Sequence, residues 1–112
     1  MHLSIRTEKG ATIISVDATR IDAAVAIRFK DLMRDAAEGR SGRIILDLGR
    51  VDFIDSSGLG AIVAAMKQLE KGQKLELAAL NSNVDKVFRL TRMDTVFPIH
   101  DSLGSAVAGH AH

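Results

Sequence analysis

The period of the apolar residues changes once in mid-chain, and that change restricts the folds open to the sequence more than any other feature. Through "RIILDLGRVDFID", Ile44, Leu46 and Leu48 alternate onto one side while Ile45 faces the other, the two-sided pattern of a central strand. From Leu59 the spacing becomes three and four: Leu59, Ile62, Val63, Met66 and Leu69 line one side of a helix that "KGQ" ends. A buried strand that hands over directly to an amphipathic helix is the repeating step of α/β folds.

The rest of the chain repeats the step. "HLSIRT", the turn "EKG" and "ATIISVD" predict an opening β-hairpin. "RIDAAVAIRFKDLMRDAAEG" predicts a helix with Val25, Phe29, Leu32 and Ala36 inward, Asp22 as its N-cap and Gly39 as its stop. "KLELAAL" alternates Leu75, Leu77 and Ala79 as a strand, and "SNVDKVFRLT" puts Val84, Val87, Phe88 and Thr91 on a third helical face. The single proline, Pro98 in "TVFPIH", suits the edge or end of a sheet. A short helix over 102–108 and a frayed "GHAH" close the chain. The order β-β-α-β-α-β-α-β-α predicts an α/β fold whose sheet is mixed, parallel apart from the hairpin. With 112 residues, one domain spanning 1–112 is expected.

Composition removes several functions. Fifteen Lys and Arg against fourteen Asp and Glu give a net charge of +1 with no basic block, so nucleic acid and membrane surfaces are not expected partners. The absence of cysteine excludes disulfides, thiolate metal sites and cysteine nucleophiles. No metal cluster or cofactor loop is legible, and neither a leader nor a run of about 20 apolar residues is present, so a cytoplasmic protein without cofactor is expected.

"VDFIDSSGLGA" lies where the strand hands over to the helix, the end of a parallel sheet at which sites are usually built. A nucleophilic serine needs a positioned base, and the pattern Asp55-Ser56-Ser57-Gly58 lacks the G-x-S-x-G elbow. No G-x-x-x-x-G-K-[ST] run exists to cradle a nucleotide. One serine could cap a helix that begins at Gly58, yet capping leaves the doubled hydroxyl and the two glycines, Gly58 and Gly60, unexplained. Glycines there are expected to bare the helix start so that a macromolecule can approach it. A phosphate at that start meets free N–H groups and so need not unfold the domain. It also adds roughly −1.5 to −2 charges, enough to break an interface.

The stretch "RIILDLGRVDFIDSSGLGAIVAAMKQLEKGQKLELAAL", continued by "NVDKVFRLTRMDTVFPIHDSLGSAV", closely resembles the STAS domain family, and within it the bacterial anti-sigma factor antagonists of the stage II sporulation AA and RsbV type. The resemblance implies a mixed sheet with helices packed mainly on one side and a switch protein that is not an enzyme. It implies that the unphosphorylated form binds an anti-sigma factor that is also a serine kinase of the GHKL ATPase type. Ser56 is then the phosphoacceptor, and a PP2C-type phosphatase reverses the modification. Asp55, Ser57, Gly58, Leu59 and Gly60 match the rest of the motif, and Asp22 matches an aspartate of a first docking loop. Two positions depart from the family pattern, Thr19 where glycine is usual and Val25 where Thr or Asn is common. Both lie in the expected docking segment and bear on which partner is recognised. The alternative implied by related domains is a small ligand or another regulatory protein bound without phosphorylation, with Ser56 merely a cap.

Overall fold

The computed structural model describes residues 1–109; of the "GHAH" expected to fray, Gly109 is a left-handed residue at φ 76° and the last three residues lie outside those described. The hairpin forms as expected: β1 (His2–Glu8) pairs antiparallel with β2 (Ala11–Asp17) through a turn in which Lys9 and Gly10 both take positive φ, 50° and 80°. That left-handed pair matches the twist of the flanking strands. β4 (Gly42–Asp47), β6 (Gln73–Ala78) and β7 (Ile99–His100) add in parallel to give the order β1-β2-β4-β6-β7, with β4 at the centre. Pro98 immediately precedes β7, the short edge strand, where a missing N–H is harmless.

The two-sided apolar pattern of β4 reflects burial on both faces of the sheet. Ile44, Leu46 and Leu48 enter the larger core with Ile14, Leu75 and Leu77, beneath α1 (Ala26–Ala37), α2 (Ser56–Lys67) and α3 (Ser82–Leu90). Phe29 and Met33 of α1, Ile62 and Ala65 of α2, and Phe88 of α3 fill it, and Phe88 meets Phe97 edge to face at 6.0 Å. On the opposite face Ala11, Ile13, Ile45 and Ala78 are covered by Ala106 and Val107 of α4 (Leu103–Ala108). Three helices on one face and one short helix on the other match the architecture implied by the family resemblance. No helix among the described residues is long and apolar enough to cross a membrane.

Several expectations need correction. In α1 Met33 rather than Leu32 is fully buried, because Met33 lies one turn beyond Phe29 and lines one inward face with it and with Ala36 and Ala37. The strand expected over "RIILDLGRVDFID" is broken: Leu48 still donates to Ala78, but Val51 turns back onto the Leu48 carbonyl and the chain leaves the main sheet. It re-forms as β5 (Phe53–Ile54), which pairs in parallel with β3 (Arg20–Ile21) as a separate two-stranded sheet. In the third parallel strand Ala79 lies beyond β6 at φ 63°, and Ala78 is buried on the face of α4.

Candidate functional site

The small β3–β5 sheet joins the two segments singled out in the sequence. Thr19 supports it from below: its carbonyl accepts from Asp52 N–H at 2.8 Å and Phe53 N–H at 3.2 Å. Asn81 supports it from the side, since its Oδ1 caps α3 at Val84 N–H while its amide nitrogen donates to the Val51 carbonyl and to Asp52. Only one of these residues carries a sequence signal. Thr19 acts through its backbone, which has no residue signature, whereas Asn81 could have been found as the capping residue before "SNVDKV".

Asp55 closes the arrangement. One carboxylate oxygen accepts from Gly58 N–H at 2.8 Å and so caps α2; the other accepts from Ala23 N–H at 3.2 Å, across 32 residues of sequence. A single side chain therefore bridges the Asp22 turn and the Ser56 helix start, beside the β3–β5 ladder and the bond from Asp55 N–H to the Ile21 carbonyl. Asp22 is not the N-cap of α1, which is Val25; its carboxylate instead accepts from Ala24 N–H at 3.2 Å and ends the turn that precedes the helix. The other Asp22 oxygen pairs with Arg20 Nε at 3.2 Å, and the Arg20 guanidinium lies 4.4 Å over the Phe53 ring.

Neither serine caps the helix, because Asp55 holds that position. α2 begins at Ser56, and Ser56 and Ser57 occupy its exposed first turn with neither hydroxyl hydrogen-bonded among the described residues. Their backbone N–H groups precede the first intrahelical donor and point out of the helix end. Gly60 lies exposed with nothing near the position a Cβ would take, so the helix is bare there as expected. Gly58 reverses the expectation made for it. It is buried, and a Cβ would lie 1.9 Å from the Ile21 carbonyl oxygen and 2.9 Å from Ile54, so glycine is required for the helix to seat on the β3–β5 sheet. Leu59 is half-buried and packs on the core below.

Among the described residues no base stands ready for a nucleophilic serine. His100 is buried on the face of α4, with Nε2 2.7 Å from Glu76 Oε1. Glu76 also takes two bonds from Arg43, at 2.7 and 2.8 Å, and Arg43 reaches on to the Ala106 carbonyl at 2.6 Å. The guanidinium and the imidazole together hold the Glu76 carboxyl below the usual carboxylate range against the opposing effect of burial. This cluster fastens α4 and is remote in chemistry from the serine loop. No group of His, Asp or Glu suited to a metal occurs among the described residues.

Comparison with known proteins places the fold. BtrV of Bordetella bronchiseptica, provisionally an anti-sigma factor antagonist, is 39% identical over 67 residues, a segment spanning 59% of this chain and 58% of BtrV. The anti-sigma-B factor antagonist of Listeria monocytogenes is 29% identical over 115 residues, covering 99% of this chain and 100% of that one. Among solved structures, a STAS domain protein from Planctomyces limnophilus superimposes with a TM-score of 0.86 at 20% identity over 98% of both chains. The anti-sigma factor antagonist SpoIIAA superimposes with a TM-score of 0.71 in its unphosphorylated form, at 21% identity over 95% of this chain and 93% of that one. Its phosphorylated form gives 0.65, at 20% identity over 96% and 97%. The STAS domain family matches residues 2–106, and the chain belongs to that family.

Proposed function

We propose that this chain is an anti-sigma factor antagonist controlled at Ser56. It binds a GHKL-type serine kinase that doubles as an anti-sigma factor, is released when that kinase phosphorylates Ser56, and is restored by a PP2C-type phosphatase. It works by binding and not by catalysis, in the cytoplasm, as a single domain. The observation that carries the reading is the division of labour between neighbours: Asp55 caps α2 and laces the two loops, which leaves the adjacent Ser56 hydroxyl exposed and without a structural role. A serine kept only as a cap would be bonded to the helix N–H groups, so the alternative without phosphorylation loses its explanation for Ser56. The names of the relatives point the same way.

The docking surface comprises Asp22, Asp55, Ser56, Ser57 and Gly60, with Gly58 and Leu59 shaping it from beneath. Incubation with a purified GHKL-type kinase from the same genome and ATP, followed by peptide mapping in a mass spectrometer, tests the assignment. Phosphate on Ser56, absent in Ser56→Ala, is expected. Labelling that persists in Ser56→Ala overturns it. Asp22→Arg is expected to weaken the complex about tenfold or more and to cost about 1 kcal/mol of stability, because the half-buried Asp22 carboxylate accepts from Ala24 N–H and pairs with Arg20.

A further inference from the structure

Among the described residues five large apolar side chains stand out into solvent: Ile5, Ile27, Phe53, Leu90 and Val96. Two of them flank the serine loop. Phe53 forms β5 with Ile54, directly before Asp55, and Ile27 lies in the first turn of α1, directly after the Asp22 turn that Asp55 grips. They are 42% and 72% exposed, although apolar atoms of this size are normally worth burying. The other three belong to β1, to the end of α3 and to the segment after it, none of which carries Asp22 or Ser56.

Between the two loops lies a cation with spare donors. Arg20 rests its guanidinium on the Phe53 ring at 4.4 Å and uses Nε for Asp22, while its two Nη groups have no partner among the described residues. Stacking and pairing hold the planar group in one orientation, which suits it to meet a carboxylate with two parallel bonds. A protein that delivers phosphate to Ser56 covers about 800 Å² of this surface. The Asp55 bond to Ala23 N–H sets the start of α1 beside the helix start that carries Ser56, and β5 runs directly into that helix start, so a footprint of that size centred on Ser56 reaches both.

We infer that Phe53 and Ile27 are the apolar anchors of the docking surface and that Arg20 selects the partner by pairing with an acidic side chain on it. The occupant is the kinase that acts on Ser56, presenting an apolar socket rimmed by Asp or Glu. This rests on the phosphorylation proposed above and adds to it the residues that decide which kinase is accepted. Aromatic and arginine side chains dominate the affinity of such interfaces, and an unmatched charge at the rim excludes wrong partners.

The test uses the purified GHKL-type kinase that labels Ser56 as the probe, titrated calorimetrically against the intact protein and four variants. Ile27→Ala and Phe53→Ala are expected to weaken binding about tenfold or more, and Arg20→Glu about thirtyfold or more. Leu90→Ala, at 83% the most exposed of the five, should stay within about twofold of the unaltered protein. Ile27 carries the test even if Phe53→Ala disturbs the small sheet, since a side chain so exposed contributes little to folding. Losses below about fivefold in both Ile27→Ala and Arg20→Glu, or an equal loss in Leu90→Ala, overturn the inference while leaving phosphorylation at Ser56 intact. Failure of every such kinase to label the unaltered protein overturns the phosphorylation reading itself, and this inference with it.

Discussion

A single Cβ separates the two roles that glycine plays in the D-S-S-G-L-G segment. At Gly58 the added atom would collide with backbone, the Ile21 carbonyl at 1.9 Å, so Gly58→Ala must move β3 or the helix start. A loss of about 2–3 kcal/mol is expected in urea unfolding, the upper part of the range for overfilling a closely packed site. At Gly60 the space is open, and Gly60→Ala should gain up to about 1 kcal/mol through helix propensity while still crowding the partner. If the two variants melt alike, the burial assigned to Gly58 is wrong. Asp55 offers a second contrast. Asp55→Ala removes the cap and the bond to Ala23, about 2 kcal/mol together, whereas Asp55→Asn can retain the acceptor for Gly58 N–H and should lose about half as much. Faster amide exchange at Ala23 in both variants would identify the broken bond between the loops.

At the scale of the elements, α4 is attached by a polar device as well as by Ala106 and Val107. Glu76, buried in the middle of β6, receives Arg43 and His100, and Arg43 also binds the Ala106 carbonyl of α4. Because the folded protein holds Glu76 below its ordinary titration range, the cluster stabilises the fold fully at pH values above that range. The contribution is lost as pH falls through the lowered value and the carboxylate takes up a proton. Glu76→Gln should therefore be less stable by about 2 kcal/mol near neutrality, a difference that shrinks to little in strong acid. Urea unfolding of both proteins across an acid pH series checks this, and a difference independent of pH would assign the effect to packing. The short helix also relies on the capping box of Ser102 and Ser105, so Ser102→Ala should lower stability by about 1 kcal/mol.

For the whole molecule, the question is whether a phosphate acts locally or by refolding. Ser56 stands on the outer face of a twelve-residue helix whose start is already pinned by Asp55, so an added anion has nothing to displace. Amide shifts on phosphorylation are therefore expected to cluster around 20–27 and 52–60 and to leave β1, β4 and β6 unmoved. At an interface the same charge must be desolvated, and each 1.4 kcal/mol is a tenfold change, so the modified form should bind the kinase at least about a hundredfold more weakly. Ser56→Asp, with less charge and fewer oxygens, should weaken binding in part, while Ser56→Ala should bind as the unmodified protein does. Shifts spread across the five-stranded sheet would mean that the fold, and not the surface, carries the switch.

What is local in this protein could be read from its residues. The hairpin, the central position of β4, the order of strands and helices and the placing of the serines at a helix start all follow from apolar periods and turn residues that act over a few positions. What depends on distant partners could not. β3 and β5 are two residues each, too short to show a period, and exist because Thr19 and Asn81 bind the intervening chain. Glu76 reads as the outward residue of an alternating strand and is buried because Arg43 and His100 arrive from two other strands to pair with it. The burial of Gly58 and the exposure of Ser56 have the same origin. Two residues apart on one helix, they differ because the Ile21 carbonyl packs beneath the first and none of the described residues covers the second.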